Sequence, residues 1–158
     1  MSIVINNHQV IDDEWLDITN EGSNFDQAQK VIVSLDQLKK NFEPFRKKFK
    51  SLAVMLQGTD SVEDVVPYLD DVQMVVFEFK VFADGRAFSQ AKILRDRHCY
   101  QGQIRAVGDV IRDQLSFMDR CGFSQFQLAK TENTNQAIHA FNDISNSYQP
   151  ELVQAANG

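Results

Sequence analysis

Cysteine, glycine-rich motifs and metal-ligand spacings are all scarce in this sequence of 158 residues. Its two cysteines, Cys99 and Cys121, cannot form a disulfide framework, and they cannot supply the four thiolates of an iron–sulfur cluster within one chain. No G-x-G-x-x-G and no P-loop pattern occurs, so a signature for cradling phosphate is missing. The three histidines are scattered along the chain without metal-ligand spacing. We therefore expect neither a cofactor nor a resident metal.

Long apolar runs and basic tails are missing as well. No run approaches the roughly 18–20 apolar residues of a membrane helix, and the first residues lack the basic start and apolar core of a signal peptide. The net charge is −6 and no basic tail is present, which argues against bulk binding of nucleic acid. We expect a cytoplasmic protein that binds neither membranes nor nucleic acid.

The negative charge is concentrated at the N-terminus. Residues 1–29 contain six acids and no Lys or Arg, whereas residues 30–158 contain sixteen groups of each sign. The six acids are Asp12, Asp13, Glu14, Asp17, Glu21 and Asp26. We interpret 1–29 as an acidic N-terminal arm, loosely organised or forming a short hairpin, that is either a solvated lead-in or a docking face for a basic partner. We expect that its removal leaves the body folded.

Strand and helix patterns alternate through the body. Strands are predicted at 31–33, 52–56, 72–79, 104–107 and 126–128, because these runs are short, apolar and rich in β-branched residues. Helices are predicted at 35–49, 62–69, 86–98, 110–120 and 133–147 from apolar residues at spacings of three and four. Pro44 predicts a break near residues 41–43. We place a single α/β domain at 30–148 and a frayed tail at 149–158.

About five βα units predict an α/β fold with a mostly parallel sheet. Two architectures fit this pattern: a partial TIM-like barrel, which we favour, and an open doubly wound sheet. A partial barrel exposes its edges, so it requires dimerisation or an edge cover. We accordingly expect a homodimer.

Functional groups in parallel α/β sheets lie beyond the carboxyl ends of the strands. The most specific candidate there is the triplet 84–86, in which a glycine turn leads into a predicted helix. Arg86 then lies at the helix N-terminus, where backbone N–H groups and the guanidinium can both bind an anion. The alternative is that Asp84 caps the helix while Arg86 pairs with a nearby carboxylate. The candidate anion-binding or substrate-binding residues are Asp84, Gly85, Arg86, Arg105, Asp109 and Arg112.

Two charged residues interrupt predicted strands. Glu78 and Arg105 each lie within an apolar run, where a charge is costly unless it is paired. If the two strands are neighbours, the residues can meet on one face, either as a structural ion pair or as a ligand-facing pair in the concavity of the sheet.

Three segments together resemble a bacterial family, the domain of unknown function 934. They are DGRAFSQAKILR at 84–95, RAVGDVIRDQ at 105–114 and RCGF at 120–123. The resemblance covers about residues 30–145, most firmly 72–128. Many relatives have glycine where this chain has Ala87. Members are commonly labelled as oxidoreductases of sulfite reduction, which implies a place beside sulfite reductase in sulfur assimilation; the family supplies no catalytic residues to carry over.

Three functions follow as hypotheses. The first is an accessory protein of assimilatory sulfate and sulfite reduction, partnered by sulfite reductase, since the chain lacks redox motifs. The second is a small α/β enzyme or anion-binding protein that acts on a sulfur oxyanion or a nucleotide sulfate, with one strand-end pocket lined by Asp84, Arg86, Arg105 and Asp109. The third is a structural dimerisation module.

Overall fold

A computed structural model describes residues 3–20, 27–57, 60–79, 85–108, 110 and 112–128. Within these residues eight strands form one sheet. The strands are β1 (Ile3–Asn6), β2 (Gln9–Asp12), β3 (Leu16–Asp17), β4 (Lys30–Ser34), β5 (Ser51–Leu56), β6 (Met74–Phe79), β7 (Gln103–Gly108) and β8 (Gln125–Phe126). The helices are α1 (Leu35–Lys48), α2 (Gly85–Asp96) and α3 (Leu115–Cys121), with short 3₁₀ segments at Val62–Asp64, Val66–Asp71 and Arg112–Gln114.

The sheet is mostly parallel and follows the order of the chain. Strands β3 to β8 lie side by side in sequence order and all run parallel. Strand β1 joins β8 in antiparallel fashion, and β2 continues from β1 as a hairpin. Asn7 and His8 form the hairpin turn with positive φ angles of 50° and 69°, as a tight two-residue hairpin turn requires.

The two faces of the sheet are covered differently. One face forms the large core with the inward residues of all three helices, for example Leu38 of α1, Leu94 of α2 and Met118 of α3. The other face carries a smaller cluster of strand residues against which Trp15 packs. The cluster consists of Ile32, Ala53, Met55, Met74, Val76 and Val107. In the described segments the helices cover one face only and the strands follow sequence order, which makes this a curled half-barrel and not a doubly wound sheet.

Chain connectivity requires the curl. Strands β2 and β3 are the two outermost strands of the sheet, yet Asp12 ends one and Leu16 begins the other. Four residues span at most about 14 Å, whereas seven strand spacings of about 4.8 Å would separate the edges of a flat sheet by about 34 Å. The sheet therefore bends until residues 13–15 bridge its open side.

The helices agree in part with the predicted βα units. Strands β4 to β7 are each followed by a helical segment, but the second of these is 3₁₀ instead of α. Pro67 lies within it, and its missing N–H and its ring prevent a continuous α-helix. The predicted fifth helix, at 133–147, lies outside the described residues, so the number five is not confirmed. Across the described segments no helix is long and apolar enough to span a membrane.

Local sequence features determine where the helices break and end. Asn41 leaves helical geometry at φ −128° and ψ 27°, three residues before Pro44, as predicted. Helix α3 ends at Gly122, whose φ of 111° is accessible to glycine. Helix α1 begins with a capping box between Ser34 and Gln37, and the Gln37 side chain also donates to the Ile18 carbonyl at 2.9 Å. This last bond ties the N-terminal arm to the first helix.

The N-terminal arm is part of the sheet. It contributes β1, β2 and β3, and Val4, Ile5 and Ile18 are buried. This packing argues against the expectation that the arm is removable, because its loss would uncover both edges and part of the large core. The predicted hairpin is present, and its strands extend the sheet beyond β8.

We predict that Ile18→Ala lowers the free energy of unfolding by about 2–4 kcal/mol, because it removes a buried side chain from the core. Ile18 is 2% exposed, while Leu16, two residues earlier, is 39% exposed. The matched change Leu16→Ala should therefore cost under about 1 kcal/mol. Urea denaturation of both variants provides the measurement, and equal losses would mean that the arm does not pack as described.

Candidate functional site

Arg105 occupies the concave face of the half-barrel, near the middle of β7, with 1% of its surface exposed. Its terminal nitrogens donate to Asp13, with distances of 3.1 Å from Nη1 to Oδ2 and 3.0 Å from Nη2 to Oδ1. Its Nε donates to Oε1 of Gln125 at 2.9 Å. The guanidinium is therefore held by a bidentate carboxylate and oriented by a buried amide, which is a strong arrangement.

Residues 13–15, here called the strap, are anchored by all three side chains. Asp13 binds Arg105, Glu14 accepts from Lys30 Nζ at 3.0 Å, and Trp15 packs on the apolar cluster of the concave face. The Trp15 amide donates to Asp13 Oδ1 at 3.1 Å, which fixes the turn of the strap. Lys30 also lies 5.8 Å from the centre of the Trp15 ring. The strap is thus bound by two ion pairs and one partly buried aromatic ring.

The strap separates two cavities on the concave face. The carboxyl-end groove, of about 420 Å³, has Trp15, Ile32, Met55 and Val107 as its apolar part and Asp13, Asp17, Glu78 and Gln127 as its polar part. The amino-end pocket, of about 320 Å³, contains Arg105, Lys30, Glu14, Asp12 and a set of polar side chains. That set is Asn6, Ser51, Gln73, Gln103 and Gln125. Both volumes are large enough for a small ligand.

The carboxyl-end groove lies where half-barrel chemistry is expected. Asp17 ends β3, Gly108 ends β7, Glu78 is the next-to-last residue of β6, and Gln127 follows β8. Gly108 has a φ of 92°, and a Cβ there would clash with the carbonyl oxygen of Phe79. Glycine therefore allows the ends of β6 and β7 to approach each other closely.

Arg86 belongs to a separate recess at the same end of the sheet. It is the second residue of α2, and its Nη2 donates to the Asp60 carbonyl at 3.3 Å. Gln57 donates to Glu78 at 2.9 Å in this recess, and the buried Gln90 accepts from the Val62 amide at 2.7 Å. About 10 Å³ is free there, which is room for one water molecule.

The predicted anion-binding residues do not form one site among the described residues. Arg86 lines the small recess, whereas Arg105 lines the amino-end pocket. Gly85 opens α2 and Arg112 opens the last 3₁₀ segment. Asp84 and Asp109 lie outside the described residues. The expected convergence of Arg86 and Arg105 in one strand-end pocket is therefore not found.

Arg105 forms a buried ion pair, but its partner is Asp13 and not Glu78, the residue that the sequence suggested. Strands β6 and β7 are neighbours, but Arg105 is paired with Val76 and Glu78 with Val107. Glu78 thus lies two residues further along the same face, about 7 Å away along the strand. The carboxylate of Asp13, ninety-two residues distant in sequence, takes both terminal nitrogens instead.

Sequence reasoning missed the strap, although one signal was available. A buried arginine needs a carboxylate, and the body is neutral while the arm carries all of the net charge. The arm was therefore the segment with an excess of carboxylates that could pair with a buried arginine. Its single tryptophan, Trp15, stands directly after three of these acids and marks where the segment packs inward.

The two thiols lie in different environments. Cys99 is exposed and adopts a positive φ of 51°, whereas Cys121 is buried at the end of α3. Burial raises the pKa of the Cys121 thiol, against the smaller opposing effects of Lys92 and Arg120. Among the described residues, no group of three or more His, Cys, Asp and Glu is placed to hold a metal.

The fold and the concave face define a class: a curled α/β half-barrel with an N-terminal strap closed over its interior. Within that class, the chain belongs to the bacterial family described as "Bacterial protein of unknown function (DUF934)", whose profile matches residues 53–157. Arg105, Gln125 and Glu78 lie within the matched region, and the strap precedes it. No curated protein matches the chain.

We predict that Asp13→Ala lowers the free energy of unfolding by about 3–5 kcal/mol, because it leaves Arg105 charged and buried without a counter-ion. The matched control is Asp96→Ala, which breaks an exposed ion pair with Lys92 and should change stability by under about 1 kcal/mol. The double variant Asp13→Leu with Arg105→Met should recover most of the loss, because no unpaired charge remains. Comparable losses for Asp13→Ala and Asp96→Ala in urea denaturation would contradict this assignment.

We predict that Cys99 is alkylated rapidly near neutral pH while Cys121 remains protected. The raised pKa of Cys121 means that its thiolate forms only at higher pH, and the thiolate is the reacting form. Mass spectrometry after iodoacetamide treatment would count the labelled thiols, with Cys99→Ser isolating Cys121. Rapid labelling of Cys121 in the folded Cys99→Ser variant would show that the helix end is open.

Proposed function

We propose that the protein is an accessory protein of assimilatory sulfate and sulfite reduction that acts beside sulfite reductase. The profile match gives the family without a function, and the role is proposed from the sulfite-reduction label that the sequence resemblance implies. The observation that carries the choice of an accessory role is the half-exposed Phe117, which Lys92 and Arg120 flank in a groove of about 420 Å³. Arg105 is held by Asp13 and Gln125, so its guanidinium is a binding group in this state and not one aimed at a reacting atom.

The small-enzyme alternative has less support from the geometry. Arg86 shares its recess with Glu78 and Asp60, and the free space fits only one water. The carboxyl-end groove carries three acids, Asp13, Asp17 and Glu78, which disfavour a sulfur oxyanion there. An enzyme acting on a sulfur oxyanion or a nucleotide sulfate would need a different arrangement of these groups.

A face between α2 and α3 suits a protein partner. Phe117 is 47% exposed and packs edge-on against Phe88, with ring centres 4.9 Å apart. Lys92 and Arg120 line the groove of about 420 Å³ beside these rings. An exposed aromatic group flanked by cations fits an apolar patch with acidic neighbours. We assign the contact with sulfite reductase to this face.

The dimerisation role remains a second candidate because of one observation at the edge of the sheet. Val10 lies on the outermost strand β2 and is 43% exposed. An exposed edge strand with an apolar side chain is a template for pairing with a second copy. Light scattering of the full chain separates this candidate from a monomer, and Val10→Lys should dissociate any dimer formed through this edge.

We predict that purified sulfite reductase from the same bacterium is retained by the immobilised full chain. The double change Phe117→Ser with Lys92→Glu should reduce the retained amount at least tenfold, because it removes the aromatic anchor and reverses a charge. Lys40→Glu reverses the charge of an exposed residue on α1, so it is the control and should retain the reductase normally.

A genetic measurement tests the same proposal. A deletion strain should grow on cysteine but poorly on sulfate as the sole sulfur source. Normal growth of the deletion strain on sulfate would overturn the proposed role. Unchanged retention of the reductase by the Phe117→Ser, Lys92→Glu variant would overturn the proposed contact face.

A further inference from the structure

The amino-end pocket contains two cations, and the strap neutralises both. Arg105 and Lys30 are the basic residues among its described lining. Asp13 binds Arg105 and Glu14 binds Lys30, so adjacent strap residues present two carboxylates to two cations. The Asp13 pair is buried, whereas the Glu14 pair lies at the solvent-exposed rim of the pocket, with 71% of the Glu14 side chain exposed.

The cationic side of this arrangement is built into the sheet and does not depend on the strap. Arg105 projects from the central strand β7, and its Nε is fixed by Gln125, which is 6% exposed. Gln125 in turn donates to Asn6 at 3.3 Å. Lys30 begins β4. A guanidinium held by its Nε keeps both terminal nitrogens aimed at whatever replaces the Asp13 carboxylate.

We propose that this pocket is a binding site for a small dianionic oxyanion, and that the strap is an autoinhibitory segment which the anion displaces. The anion accepts the two Arg105 hydrogen bonds that Asp13 now accepts, and Lys30 supplies the second positive charge. Release of the strap also withdraws Trp15 from the apolar cluster, which joins the pocket to the carboxyl-end groove. The choice of sulfite as the natural anion rests on the proposed function; the site itself rests on the geometry.

Asp13 competes with any external anion for Arg105, and this competition determines the expected affinity of the pocket for the anion. Asp13 is tethered beside Arg105, so an external anion must compete with a high local concentration of carboxylate. Binding to the unmodified protein is therefore expected only at millimolar anion. Asp13→Ala removes the competitor while it leaves Arg105, Gln125 and Lys30 in place, so sulfite should bind this variant at least tenfold more tightly.

The single tryptophan provides a direct readout of the strap. Trp15 is the one tryptophan of the chain and lies within the strap, so intrinsic tryptophan fluorescence reports its environment. Sulfite and sulfate are titrated into the full chain, with sodium chloride at matched ionic strength as the reference. A saturable fluorescence change with the dianions, not seen with chloride, is the expected result.

Variants separate the site from general salt effects. Asp13→Ala should bind sulfite more tightly, and its lowered urea midpoint should rise on addition of sulfite. Arg105→Met should show no saturable response, whereas Asp96→Ala should respond like the unmodified protein. If Asp13→Ala does not fold, Asp13→Asn replaces it, since the amide keeps the shape and loses the charge.

Two results would overturn the inference. One is an Asp13 variant that binds sulfite no more tightly than the unmodified protein and whose urea midpoint does not rise when sulfite is added. The other is a sulfite response that survives Arg105→Met. Either result leaves the retention of sulfite reductase untouched, so failure of this site is distinguishable from failure of the proposed function.

Discussion

The bidentate ion pair between Asp13 and Arg105 is the interaction on which the closed half-barrel depends. It joins the end of the arm to the middle of β7, across ninety-two residues of sequence. Burying an unpaired guanidinium would cost several kcal/mol, so Arg105 is compatible with the concave face only while a carboxylate reaches it. Because Asp12 and Leu16 lie on opposite edges of the sheet, the residue that meets this need also holds the edges together.

The difference between the two faces follows from this constraint. The outer face is apolar and accepts helices, as in any βα unit. The concave face has a small apolar cluster but also Arg105, Gln125 and Glu78, so a further apolar helix could not satisfy it. The strap fits both the polar and the apolar part of this face, because its carboxylates pair with the cations and the Trp15 ring packs on the apolar cluster.

Much of the body could be predicted from sequence, because its signals are local. The kink three residues before Pro44, the stop at Gly122 and the buried strands are properties of short windows. The arm could not be predicted in this way. Strand β3 has two residues, and it exists because Leu16 and Asp17 pair with Val31 and Ile32 of a strand already in the sheet. The partner of Arg105 was missed for the same reason: register placed Glu78 too far along the strand, and only the tertiary path of the strap brings Asp13 within reach.

The structure explains part of the uneven charge distribution between the arm and the body. Two of the six acids in the arm, Asp13 and Glu14, neutralise Arg105 and Lys30, the first in the interior and the second at the surface. The neutral body is therefore neutral only as a sum, because the amino end of its concave face carries Arg105 and Lys30, and the strap neutralises both. Any event that frees the strap uncovers Arg105 in the interior, removes the partner of the partly exposed Lys30, and leaves two unpaired carboxylates on the released segment. A protein built in this way can couple the arrival of an anion inside the barrel to a change at its surface, since both depend on the same three residues of the strap.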